Sequence, residues 1–280
     1  MTLVLPPRLT TSAQTLRDAA HRRGVPTVQL SSFAVPVGLS ASHLHAGPGF
    51  ADAVAPALGI GLLEAPEDWL ARVPWEYTRR EIILVPIREA YGLRRPAFVK
   101  SPNDKRIPAR VYSDGSRLPG PDAVDPHTPV LVSDVVEFTA EYRLYLLDGS
   151  VHAGSRYAQH GRLSLGPLHK DAAAFGAELL AGCAATLPSA IVVDVGTADG
   201  RWAVIEANAA WASGMYTTDP QRALDAVLRA AGPIDAVAPR DQPFLRTVPP
   251  PAQGPAPAPA GETARPLRST KDSNELRQKG

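Results

Sequence analysis

The spacing of apolar residues along the first third of the chain predicts short strands and amphipathic helices. Strands are expected over residues 3–5 and 27–30. The predicted helices cover residues 12–23, 49–58, 66–71 and 74–91. The last of these helices is expected because its apolar residues recur near every 3.6 positions. A strand, a helix and a second strand at the start of a chain predict a small α/β domain.

From residue 97 onward, alternating apolar residues and turn residues predict mainly strands. These predicted strands cover residues 97–100, 109–112, 130–138, 141–147, 150–157, 191–196 and 202–208. Two helices are expected among them, over residues 171–187 and 220–231. The Asp148-Gly149 pair predicts a two-residue hairpin between two of the strands.

The hairpin formed by residues 191–196 and 202–208 carries three side chains of the kind that bind metal ions. A three-residue turn at residues 198–200 would place Asp194 opposite Val204, so that Asp194, Glu206 and Asn208 share one face. Two carboxylates and a carboxamide are hard oxygen ligands that suit Mg²⁺. The other face would then be apolar, formed by Val193, Val195, Ala203 and Ile205.

The hairpin around Asp148-Gly149 carries a second charged cluster. Its loop pairs Leu147 with Ser150, which predicts Arg143 opposite Gly154 and Glu141 opposite Arg156. The predicted polar face holds Glu141, Arg143, Tyr145, His152 and Arg156, and the predicted core face holds Tyr142, Leu144, Leu146, Val151, Ala153 and Ser155. The alternative is an ordinary solvated face with a weak cross-strand ion pair.

Composition limits the kinds of partner and compartment. The chain has 280 residues, with 29 Lys and Arg against 28 Asp and Glu, so bulk electrostatics does not favour nucleic acid or an anionic membrane. A single cysteine, Cys183, excludes an internal disulfide and is expected to be a buried thiol. The N-terminus lacks the pattern of a secretion signal, and no apolar stretch is long enough to span a bilayer. We therefore expect a cytoplasmic protein.

The end of the chain is rich in proline and alanine. Residues 248–280 contain too few apolar side chains to bury a face, which predicts a disordered tail that could bind a protein partner.

Several segments in order along the chain resemble the ATP-grasp superfamily. The segment Phe98-Val99-Lys100 is similar to the strand that ends in a phosphate-binding lysine, and Asp194 followed by Glu206-Ala207-Asn208 is similar to the metal-binding strand pair. The segments at residues 100–105, 141–143, 155–157 and 208–216 resemble the ATP-grasp clade named for two arginines and a lysine. The resemblance covers residues 75–235. It implies an α+β ATP-grasp domain, here residues 76–240, with two subdomains that enclose ATP, preceded by an α/β pre-ATP-grasp domain over residues 1–75.

For the nucleotide, the resemblance implies that Lys100 contacts the phosphates, that Glu137 and Phe138 hold the adenine through their backbone, and that Glu141 binds the ribose. The glycine-rich phosphate loop of many ATP-grasp enzymes is absent after Lys100. Lys105 could take its place as a phosphate contact, or another segment could cover the nucleotide. The family's upstream lysine is also missing, with Arg79 and Arg80 as the nearest candidates.

For the metal and the chemistry, the resemblance implies that Asp194, Glu206 and Asn208 bind Mg²⁺ and that Arg143 and Arg156 are the two catalytic arginines. The implied activity is a Mg-ATP-dependent ligase that activates a small-molecule or peptide carboxylate as an acylphosphate and joins it to an amine. The alternatives are an ATP-dependent kinase of a small molecule or protein and a non-catalytic nucleotide-binding or interaction module. The N-terminal loops around His43, His45 and Gly47 are expected to shape the substrate pocket.

Overall fold

The computed structural model of the chain describes residues 1–104 and 106–247. The strands are β1 (Leu3–Leu5), β2 (Thr27–Gln29), β3 (His43–Leu44), β4 (Ile60–Leu62), β5 (Ile82–Pro86), β6 (Ala97–Lys100), β7 (Arg110–Tyr112), β8 (Pro129–Ser133), β9 (Ala140–Leu147), β10 (Ser150–Gln159), β11 (Arg162–Pro167), β12 (Ala190–Ala198), β13 (Arg201–Asn208) and β14 (Ala231–Pro233). The helices are α1 (Thr11–Arg22), α2 (Pro48–Leu58), α3 (Trp69–Arg72), α4 (Trp75–Thr78), α5 (Ile87–Ala90), α6 (Lys170–Cys183) and α7 (Pro220–Ala230). Lys105 and the predicted tail at residues 248–280 lie outside the described residues.

The N-terminal part forms a small parallel sheet in the order β2-β1-β3, in which β1 and β2 are predicted strands and β3 is not. Thr10 caps the start of helix α1, since its hydroxyl accepts a hydrogen bond from the Ala13 amide, and the helix buries Leu16 and neighbouring alanines. The hydrophobic core around this sheet also contains residues of α7 and β12, including Leu224 and Val192. The predicted domain boundary at residue 75 stays a prediction.

A four-stranded sheet in the order β5-β8-β6-β7 forms the middle of the chain. The predicted helix over residues 74–91 is wrong, because this segment contains α4, β5 and α5. Helix α4 ends at Thr78, because the next residue, Arg79, has a left-handed φ of 54°. The apolar, mostly β-branched residues of β5 that follow pair with β8. The strand predicted over residues 130–138 ends at Ser133, which leaves residues 134–138 as an extended connection.

The largest sheet is antiparallel in the order β11-β10-β9-β12-β13, and β11 is a strand that the sequence pattern did not predict. Helix α6 packs on one face of this sheet through Phe175, Leu179 and Cys183, which confirms Cys183 as a buried thiol. At one end of the strands, the other face packs against the N-terminal core. At the opposite end, that same face carries the polar side chains described next.

Candidate active site

The β12–β13 hairpin differs in register from the prediction but brings the predicted metal ligands together. The turn has two residues, Asp199 and Gly200, both with positive φ, instead of three. A β-bulge then adds one residue to β13, so that Asp194 lies opposite Glu206 and not Val204. The short turn and the bulge offset each other, and Asp194 and Glu206 still share a face. The bulged residue, Ile205, leaves the predicted apolar face and lines a cavity.

Asn208 and Lys100 hold the two carboxylates of this face in place. The Asn208 amide nitrogen donates to Glu206 Oε1 at 2.9 Å and to Asp194 Oδ2 at 3.3 Å. The Lys100 ammonium, at the end of β6, forms an ion pair with Glu206 Oε2. Burial opposes ionisation of Glu206, but Lys100 prevails and holds its pKa below the usual range. In the described part of the chain no three His, Cys, Asp or Glu side chains are grouped as a metal site, because this set contains only two carboxylates and an amide.

Arg143 binds Asp194 in a buried, bidentate ion pair. Its Nε and Nη2 atoms donate to the two Asp194 oxygens at 2.8 and 2.7 Å, and Nη1 donates to the Gly214 carbonyl at 3.0 Å. Burial raises the pKa of Asp194, and the Arg143 charge and hydrogen bonds oppose that shift. Because three of the five guanidinium N–H groups are engaged here, two remain for another ligand.

The predicted register of the β9–β10 hairpin is wrong beyond its turn. The pairing of Leu147 with Ser150 is confirmed, but bulges at residues 152 and 157 shift β10, which places Ser155 opposite Arg143 and Ala158 opposite Glu141. Arg156 pairs with Tyr142 instead, on the face away from Arg143. Its Nε atom donates to the Ser164 carbonyl of β11 at 3.1 Å, so the structure does not bring the two predicted arginines together.

The second bulge carries Tyr157 into the site, where an aromatic pair covers Arg143. The Tyr157 hydroxyl donates to Glu141 Oε2 at 2.7 Å, and its ring stacks on Tyr216 with centroids 4.9 Å apart. The Arg143 guanidinium lies 5.8 Å from the Tyr157 ring and 5.1 Å from the Tyr216 ring. Burial raises the pKa of Glu141, although the Tyr157 hydrogen bond lowers it. Neither tyrosine was predicted as a site residue, because the bulge that brings Tyr157 inward leaves no signal in the sequence.

A cavity of about 210 Å³ lies between the middle sheet and the edge strand β13. Its wall is mainly apolar and includes Leu70, Ile82, Phe98, Val111, Leu131, Val135, Val136, Phe138 and Ile205, with Arg80, Lys100, Glu141 and Glu206 among the polar lining residues. Glu137 is not in the wall, and its side chain points to solvent. Over residues 135–138, the described part of the chain supplies no hydrogen-bond partner to the backbone.

Arg80, rather than Arg79, belongs to this cavity. Its guanidinium donates to the carbonyls of Val204 at 2.7 Å and Ile205 at 3.1 Å, and it lies 5.6 Å from the Phe138 ring. Burial lowers the pKa of Arg80 to about 10. Arg79 instead lies over the exposed Trp75 ring. Arg80 therefore satisfies the backbone carbonyls at the β13 bulge and forms part of the cavity wall.

A second cavity of about 710 Å³ lies between the N-terminal part and the charged cluster. Lys100, Arg143, Glu206 and Asn208 line it from one side, as do Gly214 and Tyr216. The N-terminal lining residues include Thr10, Ser12, His45, Gly47 and Pro48. His43 is not among the lining residues and instead contacts Ser42 Oγ. Both cavities are lined by Lys100 and Glu206, so they meet at this ion pair.

Comparison with known proteins identifies a family match and several distant structural likenesses. The matching family is described as an ATP-grasp domain, family 2 of the clade named for two arginines and a lysine. It matches residues 77–226, which include Lys100, Arg143, Asp194 and Glu206. The curated proteins gave no match to the sequence. None of the helices in the described residues has the length and apolar character needed to cross a membrane.

Among the solved structures that the chain resembles are two ligases and one RimK domain ATP-grasp protein. The D-alanine–D-alanine ligase from Bacillus anthracis is 12% identical, with 82% of this chain and 96% of that chain covered and a TM-score of 0.49. The ATP-grasp ligase PsnB in complex with a minimal precursor is 13% identical, with 81% and 98% covered and a TM-score of 0.46. A RimK domain ATP-grasp protein from Sphaerobacter thermophilus DSM 20745 is 17% identical, with 81% and 100% covered and a TM-score of 0.47.

Proposed function

We propose, from the premise that this chain belongs to family 2 of the ATP-grasp clade named for two arginines and a lysine, that it is an ATP-dependent carboxylate–amine ligase. The family match confirms the predicted ATP-grasp fold. The observation that carries the proposed activity is the junction of the two cavities at Lys100 and Glu206. A nucleotide in the smaller cavity would direct its phosphates toward this junction, and a substrate in the larger cavity would meet them there.

The smaller cavity suits the base and sugar of ATP. Its apolar walls can enclose a planar base, and the unpaired backbone groups of residues 135–138 can bind the polar edge of that base. We therefore assign the adenine to Phe138 and to the backbone of Glu137, as the family resemblance implies. Glu141, held by Tyr157 at the mouth of the cavity, is the proposed ribose ligand.

The donor set near the junction fits Mg²⁺, which prefers oxygen ligands. Both Asn208 amide hydrogens are engaged by carboxylates, which leaves the amide oxygen free to bind a cation beside Glu206. Asp194 fits less directly, because both of its oxygens accept from Arg143 and its side chain is fully buried. We therefore assign Mg²⁺ to Glu206 and Asn208, with Asp194 holding Arg143 in position. Bound Mg²⁺ would neutralise charge on the ATP phosphates.

The proposed reaction has two steps. A carboxylate oxygen of the substrate attacks the γ-phosphorus of ATP and ADP leaves, which gives an acylphosphate. An amine then attacks the acyl carbon, inorganic phosphate leaves, and the nitrogen gives its proton to solvent. Lys100 binds the phosphate oxygens, and the two remaining N–H groups of Arg143 hold the substrate carboxylate or the transferred phosphoryl group. Positioning and electrostatics supply the catalysis, without a covalent enzyme intermediate.

The test is ATP turnover with a panel of carboxylic acids and hydroxylamine as the trapping amine. We expect ADP release together with a hydroxamate product. We expect Glu206→Gln to lower turnover by about a hundredfold or more, because loss of a charge at the metal weakens transition-state stabilisation by several kcal/mol. Glu178→Gln, on the exposed face of α6, is the matched control and should keep wild-type turnover.

The chemical identity of the product distinguishes a ligase from a kinase of the same fold. A stable phosphorylated product that hydroxylamine does not trap would instead favour ATP-dependent phosphorylation. Mg-ATP binding without turnover would favour a non-catalytic nucleotide-binding module, and absence of Mg-ATP binding by the wild-type protein would refute both reactions.

A further inference from the structure

Two departures from regular backbone bring a pair of tyrosine rings together beside the two cavities. Tyr157 lies at the second bulge of β10, and Tyr216 has a left-handed φ of 51°, which a bulky aromatic residue rarely adopts. The two rings are stacked, with their planes 13° apart and their centroids 4.9 Å apart. Backbone strain of this kind persists only where the surrounding structure holds it, and it concentrates at functional sites. The strained backbone at Tyr216 therefore points to a function for its ring.

Hydrogen bonds on both sides of Tyr216 hold it in this conformation. The Met215 amide donates to Ser12 Oγ of α1 at 3.0 Å, and the Thr217 hydroxyl donates to the Gly166 carbonyl of β11 at 3.2 Å. The Tyr216 side chain is nevertheless 40% exposed and lines the larger cavity, so its ring is not part of a hydrophobic core. These bonds fix the segment and present the ring to that of Tyr157.

Tyr157 connects the Tyr216 ring to the proposed ribose ligand, Glu141. The Tyr157 hydroxyl donates to Glu141 Oε2 at 2.7 Å and is the one hydrogen-bond partner of the Glu141 side chain within the described part of the chain. Glu141 lines the smaller cavity, so its other oxygen, Oε1, is available to accept a hydrogen bond from a ligand there. Tyr157 lines neither cavity. Any effect of Tyr157 on binding is therefore exerted through the residues that it contacts.

We infer that Tyr157 and Tyr216 are positioning residues for the nucleotide. Tyr157 holds the Glu141 carboxylate ready for a ribose hydroxyl, and the Tyr216 ring keeps Tyr157 in place by stacking. A glutamate side chain has several rotatable bonds, so fixing it in advance lowers the conformational-entropy cost of binding. This inference rests on the proposed function, because it takes Glu141 as the ribose ligand. Tyr216 thus lines the larger cavity and yet acts on the ligand of the smaller one.

The test compares calorimetric titrations of the full chain with Mg-ATP and with the Mg complex of 2′,3′-dideoxy-ATP, which lacks both ribose hydroxyls. We expect the wild type to bind ATP at least about tenfold more tightly, because a hydrogen bond to a carboxylate is among the stronger kinds. Tyr157→Phe keeps the stacked ring and removes only the hydroxyl, and should reduce this preference to less than about threefold. A general loss of packing would weaken both nucleotides alike and leave their ratio unchanged. The control, Tyr91→Phe, removes a hydroxyl that donates to the Pro119 carbonyl away from both cavities.

A second set of variants tests the stacked ring of Tyr216. Tyr216→Gly removes the ring, and glycine adopts the left-handed backbone without strain, so the variant should fold. We expect the same loss of preference for ATP, because Tyr157 keeps its hydroxyl but loses the ring that positions it. Tyr216→Phe keeps the ring and should retain the wild-type preference. Asp199→Gly makes the matching substitution at a φ of 50°, in the exposed turn between β12 and β13, and should also retain it.

The outcomes separate this inference from the proposed function. A wild-type preference for ATP that persists in Tyr157→Phe or in Tyr216→Gly overturns the inference and leaves the proposed function intact. A wild-type protein that binds both nucleotides equally, or neither, refutes Glu141 as the ribose ligand and the inference with it. Failure to form a hydroxamate would refute the ligase activity alone, because the preference for ATP is a binding measurement.

Discussion

The two cavities that meet at Lys100 and Glu206 are built in opposite ways. The smaller cavity has mainly apolar walls from two sheets, and its polar members are fixed by contacts within the protein, as Arg80 is by the Val204 and Ile205 carbonyls. The larger cavity has a wall of charged side chains and a wall of helix N-termini. An apolar slot suits a single constant ligand such as a nucleobase, whereas a donor-rich cavity selects its ligand by charge.

Because of this difference, substitutions can weaken the binding of either ligand without affecting the other. Residues of the smaller cavity should control nucleotide affinity alone, and residues of the larger cavity should control the acceptor side. Lys100 and Glu206 should affect both. The variants below test the roles of individual residues of the two cavities.

The largest effect is expected at Arg143 in the larger cavity. Arg143→Met leaves the Asp194 carboxylate buried without its cation, which should cost about 3–5 kcal/mol of unfolding free energy. Urea unfolding measures the change. Arg229→Met removes an exposed partner of Asp148 and should cost less than about 1 kcal/mol.

A comparison of Arg143→Met with Arg156→Met distinguishes the two predicted arginines. Arg156→Met should keep wild-type turnover, because its guanidinium contacts the Ser164 carbonyl on the other face of the sheet. Equal loss of turnover in folded Arg143 and Arg156 variants would contradict the proposed role of Arg143 alone.

A smaller effect is expected at Phe138 in the smaller cavity. Phe138→Ala removes an apolar wall and should weaken Mg-ATP binding by about tenfold, since a base–aromatic contact contributes about 1–3 kcal/mol. Calorimetric titration measures this affinity. An unchanged affinity for Mg-ATP in Phe138→Ala would contradict the assignment of this cavity to the nucleotide.

The smallest effect concerns the ionisation of Glu206. Lys100 holds the pKa of this carboxyl below its ordinary value of 4.5, so the ion pair stabilises the fold above that pH and loses its contribution as the pH falls through the lowered pKa. In Lys100→Gln only burial and weaker partners remain, and the pKa of Glu206 should rise. A ¹³C NMR titration of the Glu206 carboxyl follows this shift, with Lys170→Gln on the exposed end of α6 as the control. A pKa that does not rise in Lys100→Gln would refute the ion pair.

The sequence predicts the elements of the site better than their registers. Alternation and turn residues were sufficient to find β9, β10, β12 and β13, and the family resemblance pointed to Lys100. The bulges in β10 and β13 could not be predicted, because each depends on one extra residue that tertiary contacts accommodate.

These bulges had opposite consequences for the predictions. The bulge at Ile205 kept Asp194 and Glu206 on one face, and those at residues 152 and 157 moved Arg156 away and brought Tyr157 in. The helix predicted over residues 74–91 was wrong for a similar reason: pairing with β8 overrode an apolar spacing typical of helices. His45 was expected to shape the substrate pocket, and it lines the larger cavity.

The central claim, that catalysis occurs where the two cavities meet, is tested most directly by a crystal structure with Mg²⁺ and a non-hydrolysable ATP analogue. We expect the base beside Phe138 and Ile205, and the γ-phosphate at the junction, with Lys100 released from Glu206 to contact the phosphates. A nucleotide bound outside the smaller cavity, or phosphates that do not reach Lys100 and Glu206, would contradict the claim.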